Sequence, residues 1–89
     1  PMPTISVFFG MTITINFFDH NPPHIHVAHG GLKALIDIRT GEVLAGGLSR
    51  RETRYVLEWV EEHRDDLMQN WDLAVQGKPT FKIEGLHDD

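Results

Sequence analysis

Apolar and polar residues alternate with a period of two along the first half of the chain and with a helical period along the second. Thr4–Phe9 and Thr12–Phe18 are rich in β-branched and aromatic residues and predict two strands, with Gly10-Met11 as a tight II′ turn between them. That turn sets Phe8 against Ile13, Val7 against Thr14 and Ser6 against Ile15. A third strand is predicted over His24–His29, where Ile25 and Val27 share one face. Gly30-Gly31 is a two-residue hairpin signal, and Leu32–Arg39 returns with Leu32, Ala34, Ile36 and Ile38 alternating onto a single side. A tight turn at Thr40-Gly41 leads to a short last strand, Val43–Gly47.

From Ser49 onward the period changes. Ser49-Arg50-Arg51-Glu52 reads as a capping box. Val56, Trp59, Val60, His63, Leu67, Trp71 and Ala74 then recur at spacings of three and four, one apolar stripe. The helix is expected either to run to about Val75 or to break near Arg64–Asp66, with Asp65 capping a second helix. Gly77 and Pro79 stop it. Thr80–Ile83 is expected as a brief strand or as an extended tail covering a sheet edge. The fold class is therefore α+β: a five-stranded, mainly antiparallel meander packed against one or two C-terminal helices. Trp59, Val60, Leu67 and Trp71 should cover the face made by Ile25, Val27, Ala34, Ile36, Ile38 and Val43.

Register arithmetic sharpens this picture. With Gly30 and Gly31 as the loop, His24 opposes Asp37, Ile25 opposes Ile36, His26 opposes Leu35, and His29 opposes Leu32. Slipping the pairing by one residue would turn the histidines into the core, so the alternation selects this register. The same reasoning at the next turn sets Asp37 against Leu44 and Arg39 against Glu42. His24, His26 and Asp37 then share one sheet face, with His24 and Asp37 as cross-strand neighbours at ~5 Å between Cβ atoms.

Composition narrows the chemistry. The 89 residues suffice for one domain with a small core. Pro1, ahead of Met2, reads as an expression scar, and residues 87–89 as a frayed tail. The chain has no cysteine, which excludes disulfides and thiolate ligands. No apolar run approaches a membrane span, so a cytoplasmic protein without membrane contact is expected. The net charge of −5 argues against general phosphate neutralisation. Arg50, Arg51 and Arg54 nevertheless cluster at the helix start, a local basic patch suited to nucleic acid or a partner, or simply a solvated, charge-paired helix face.

Four of the six histidines fall between Asp19 and Gly31, beside a carboxylate and a Pro-Pro pair. Histidines two apart on a strand project from one face and can chelate a single ion. A carboxylate would complete a two-histidine, one-carboxylate set for a divalent metal such as zinc or iron(II). The candidate ligands are His24, His26 and Asp37, with His20 or Asp19 approaching from the Pro-Pro turn. Without metal, His24 oriented by Asp37 and His26 would form an acid–base pair. The plain alternative is that these imidazoles decorate a sheet face or hold the Asp19–Pro23 turn. His29 and His63 fall on apolar faces and read as semi-buried structural histidines. Histidine-triad hydrolases are excluded because Ala28 occupies the third alternating position.

Asp-His-Asn-Pro-Pro-His-Ile-His-Val, the opening Met-Pro-Thr-Ile and the later Arg-Arg, Trp-Val, His-Arg-Asp-Asp-Leu and Asn-Trp elements resemble the bacterial domain-of-unknown-function family 4160. The resemblance spans about Met2 to Leu86. Asp19, His20, Pro22, Pro23, His24, His26 and Val27 carry its signature. It implies a small bacterial protein encoded beside another small protein, in the manner of toxin–antitoxin pairs, and it implies no particular reaction. With no complete catalytic set visible, the preferred expectation is an accessory or antitoxin-like binding module using the His24/His26 face. Its partners would be a neighbouring small protein or a second copy in a homo-oligomer. The alternative is a divalent-metal protein, or a small hydrolase or nuclease, using His20, His24, His26 and Asp37.

Overall fold

The computed structural model describes residues 2–87; the expectations for Pro1 and Asp88-Asp89 lie outside the described residues. Five antiparallel strands form one sheet in the order β1-β2-β3-β4-β5, followed by two helices. The strands are β1 (Thr4–Phe8), β2 (Met11–Thr14), β3 (His24–His29), β4 (Leu32–Asp37) and β5 (Val43–Gly46); the helices are α1 (Arg50–Glu62) and α2 (Arg64–Val75). The fold is the expected α+β meander with C-terminal helices.

The central hairpin has the expected register. His24 pairs with Asp37, Ile25 with Ile36, His26 with Leu35, and His29 with Leu32. Ile25, Val27, Ala34, Ile36 and Ile38 are buried with Val56, Trp59, Val60, Leu67, Trp71 and Ala74 in one core. Val43 is the exception to the expected covered face, at 37% exposed.

The two outer hairpins depart from expectation. The β1–β2 turn is Phe9-Gly10 rather than Gly10-Met11, so Phe8 pairs with Met11, Val7 with Thr12 and Ser6 with Ile13. Both turn residues have positive φ (49° and 76°), as a type I′ turn requires. Packing outweighs turn propensity: moving the turn back by one residue places Met11 in the core, where it is fully buried. At the other side Ile36 pairs with Val43, and the register shifts between Leu35 and Ile36, so Asp37 does not face Leu44. Instead the Asp37 N–H donates to the Glu42 carbonyl at 2.9 Å. The Asp37 carboxylate accepts the N–H groups of Arg39 (2.8 Å) and Thr40 (3.1 Å), which lengthens the loop beyond a two-residue turn.

The helix breaks near Arg64–Asp66 as one of the two expectations had it, with the break itself at His63. His63 is both the last cap of α1 and the first of α2, so Asp65 is not the cap. Its imidazole rests on Trp59 with ring centroids 5.5 Å apart. At the start of α1 the Ser49 hydroxyl accepts the Glu52 N–H at 3.2 Å and donates to the Glu52 carboxylate. The end of α2 is a Schellman motif: Gly77, at φ 69°, donates to Ala74, and Lys78 donates to Leu73.

The chain after Gly77 is extended and covers the β1 edge. Ile83 N–H donates to the Ile5 carbonyl at 2.7 Å, and Trp59 Nε1–H donates to the Glu84 carbonyl at 2.8 Å. Asn70, fully buried, both donates to and accepts from the Phe81 backbone at 2.9 Å. The helical stripe conceals this role, because Asn70 occupies a core position in a polar residue type. No helix among the described residues is long and apolar enough to cross a membrane.

Candidate metal centre

After β2 the chain leaves the sheet through Phe17 and Phe18. Phe18 adopts φ 57° and donates its N–H to the Ala74 carbonyl at 2.8 Å. Its ring lies where a Cβ at position 77 would sit, so Gly77 serves both the helix end and this close approach. The loop is thereby pinned to the C-terminal end of α2. The Pro22-Pro23 pair, with a cis Asn21–Pro22 peptide, then brings the chain back into β3 at His24.

Asp19 is the carboxylate this route delivers. Its two oxygens have separate tasks. Oδ1 accepts the His20 N–H at 2.8 Å and lies 3.2 Å from His20 Nδ1. Oδ2 lies 3.0 Å from His24 Nε2 and 3.8 Å from His26 Nε2. One ligand atom from each of Asp19, His24 and His26 falls within 4.8 Å of the others. Two ligand atoms on an ion with bonds near 2.0–2.1 Å lie about 3–4 Å apart, so the set needs little adjustment to close on one cation.

The tautomer of His24 follows from its other nitrogen. Nδ1 lies 2.7 Å from the Pro22 carbonyl, which can only accept, so Nδ1 carries a proton. Nε2 therefore either carries a second proton and donates to Asp19, or presents its lone pair beside a carboxylate. In the latter state a cation between them satisfies both groups. A histidine anchored through one nitrogen on a backbone carbonyl, with the other aimed inward, is the arrangement metal-ligating imidazoles adopt. His24 is 6% exposed, and its ring lies against Trp71 and His26, each with ring centroids 5.2 Å away.

Electrostatics favour a neutral His26 beside a charged Asp19. Burial, followed by the neighbouring His24 charge, lowers the pKa of His26, outweighing the attraction of Asp19. Burial acts to raise Asp19, but the His20 N–H and the three imidazoles together draw it below its ordinary value. The Asn16 amide nitrogen lies 3.3 Å from His26 Nε2, and the Asn16 carbonyl oxygen is buried without a partner.

The other residues singled out from the sequence do not join this converging set. Asp37 stands opposite His24 in the sheet, as expected, but its carboxylate is engaged by the turn that follows. His20 contacts Asp19 while its side chain is 92% exposed. Arg50, Arg51 and Arg54 are exposed on α1, His29 reaches Glu52 at 3.6 Å, and the fraying expectation at His87 meets an ion pair with Glu84 at 2.8 Å. A cleft of about 490 Å³ adjoins the cluster, lined by Asp19, His20, Asn21, Trp71, Asp72 and Val75 among others. Trp71 and Asp72 arrive from α2, a contribution invisible in strand periodicity.

The family described as "Domain of unknown function (DUF4160)" matches residues 10–72, which include the whole cluster. The chain belongs to this family. Comparison with curated proteins and with solved structures returned no match.

Proposed function

We propose that this DUF4160 domain binds a divalent metal ion through Asp19, His24 and His26. The observation that carries the reading is His24: Nδ1 is held on the Pro22 carbonyl while Nε2 is aimed at Asp19 Oδ2 from 3.0 Å. Two imidazoles and one carboxylate suit zinc or iron(II), and three protein ligands leave a coordination position open. Water in such a position is acidified to near neutrality, which is hydrolytic chemistry. The adjoining cleft supplies room for a substrate of modest size.

The test is metal analysis of protein purified without a polyhistidine tag, followed by titration of the metal-free form with zinc, manganese and cobalt. Near-stoichiometric binding is expected, lost in Asp19→Ala, His24→Ala and His26→Ala and kept in His20→Ala and His29→Ala. Absence of binding at micromolar metal, or binding indifferent to His24 and His26, would sink the reading.

A binding-module reading has its own support. The sheet face away from the helices is crossed by a groove of about 450 Å³ lined by Met2, Thr12, Thr14, His26, Ala28 and Leu35 among others. An uncovered, partly apolar sheet face suits a small protein partner or a second copy. Size-exclusion of the domain, alone and co-expressed with the product of the adjacent gene, tests it; independent monomers in both cases would remove it.

A further inference from the structure

Asn16 reaches the histidine cluster from the end of β2. Thr12 of that strand pairs with Ala28, and Thr14 with His26. Ile15 is fully buried, so the alternation turns Asn16 to the face that carries the histidines. Its amide nitrogen lies 3.3 Å from His26 Nε2, and its carbonyl oxygen is buried with no hydrogen-bond partner among the described residues. A buried carbonyl in that position costs free energy until something positive comes to it.

The same amide fixes the state of His26. An NH₂ group only donates, so His26 Nε2 receives it as a lone pair and the ring proton sits on Nδ1. That is the neutral ring which burial and the neighbouring His24 favour. An ion held with Asp19 and His24 must use this lone pair, since Nε2 is the His26 atom that lies 3.8 Å from Asp19 Oδ2. The Asn16 N–H then loses its acceptor and faces a cation, so the amide has to respond. A half-turn about its terminal torsion, which is broad and two-fold, brings the oxygen to the place the nitrogen holds, 3.3 Å from His26 Nε2. That spacing falls within the ~3–4 Å between two ligands of one ion. The turn exchanges one unpaired atom for another, so the bond to the cation is what favours it.

We infer that Asn16 is the fourth ligand of the centre, its Oδ1 joining Asp19, His24 and His26. This rests on the metal site proposed for those three residues and names the class of ion they take. Two nitrogens and two hard oxygens close a tetrahedral zinc site entirely. On six-coordinate manganese(II) or iron(II) the same four ligands leave two positions for water and substrate. The cleft beside Asp19 suits the second case.

Calorimetric titration of the metal-free full chain with manganese(II) tests this, with circular dichroism to confirm that each variant is folded. Asn16→Ala should weaken binding by about tenfold or more. Asn16→Asp, whose carboxylate keeps the oxygen but has no N–H to give, should bind at least as tightly as the native chain. Cobalt(II) in the native chain should show the weak visible bands of a six-coordinate ion. Native affinity in folded Asn16→Ala, or affinity in Asn16→Asp below that of the native chain, overturns the fourth ligand and leaves the three-residue site standing. Intense four-coordinate cobalt bands overturn the assignment to six-coordinate ions. A native chain that takes up neither manganese nor zinc removes the three-residue site and the fourth ligand with it.

Discussion

The two ends of β3 carry histidines of opposite character. At the start of the strand, His24 is 6% exposed, both ring nitrogens have partners, and a tryptophan lies against the ring. Five residues on, roughly 17 Å along an extended strand, His29 has a side chain 37% exposed and one carboxylate at 3.6 Å. Both belong to the same run, His-Ile-His-Val-Ala-His. What separates them is the material laid over each end. The 17–23 loop and the C-terminal half of α2 enclose His24, whereas His29 is left open to solvent beside the tip of the neighbouring hairpin. A histidine becomes a candidate ligand when packing and a fixed tautomer remove its alternatives, and residue spacing supplies neither.

Metal should act on one end alone. At a free concentration of 100 times the dissociation constant, binding stabilises the folded state by about 2.7 kcal/mol. For a domain of this size that raises the melting temperature by roughly 10–20 °C. Differential scanning fluorimetry with zinc, with and without chelator, should show this shift in the parent protein and in His29→Ala, and none in His26→Ala.

The next largest effect is intrinsic to the metal-free chain. His24→Ala removes the partner of the Pro22 carbonyl and the nearest partner of Asp19 Oδ2 and opens space beside Trp71, so a loss of about 2–4 kcal/mol is expected in urea melts. His29→Ala removes a half-exposed pair and should cost less than about 1 kcal/mol. Equal costs would erase the distinction between the two ends.

Glycines sharpen the same contrast. Gly77 and Gly30 both have positive φ, at 69° and 59°. A Cβ at Gly30 meets nothing within 4 Å, whereas one at Gly77 meets the Phe18 ring that holds the loop. Gly30→Ala should cost about 1–2 kcal/mol from backbone conformation alone. Gly77→Ala should cost measurably more and, if the loop shifts, should weaken metal binding as well.

Acid should unsettle the cluster without any substitution. The folded-state pKa of His26 lies below the ordinary 6.5, so the unfolded chain takes up that proton first and metal-free stability falls as pH drops from 6.5 through the folded value. Asp19 is also lowered, so its contribution is present above 3.8 and is lost as pH falls through the folded value. Melting temperatures from pH 8 to pH 3 should show both declines. His26→Gln should remove the first, and Asp19→Asn should flatten the second. The smallest effect belongs to His20→Ala, which should leave the melting temperature and metal affinity unchanged within error.

Much of the scaffold was legible in the pattern of residues. Two glycines and an alternating apolar set specify the β3–β4 register, because slipping it by one residue would exchange the buried and exposed faces. The helical stripe and Ser49 likewise place α1. The outer hairpins were less legible: Met11 moved one turn by entering the core, and the Asp37 carboxylate lengthened another by capturing two backbone N–H groups. Asn70 was illegible as an anchor, since its partner is the Phe81 backbone, eleven residues away.

The cluster divides along the same line. The amino-acid order already settles that His24 and His26 are on one face, since strand geometry is local and repeats every two residues. It also places Asp37 across from His24. Which carboxylate turns toward the imidazoles is settled only in three dimensions. Asp37 commits Oδ1 to its own turn, while Phe18, held by Ala74 and seated over Gly77, delivers Asp19 instead. The physical reason is distance along the chain: strand pairing is read from neighbours, whereas the Asp19 position depends on a helix end more than fifty residues later.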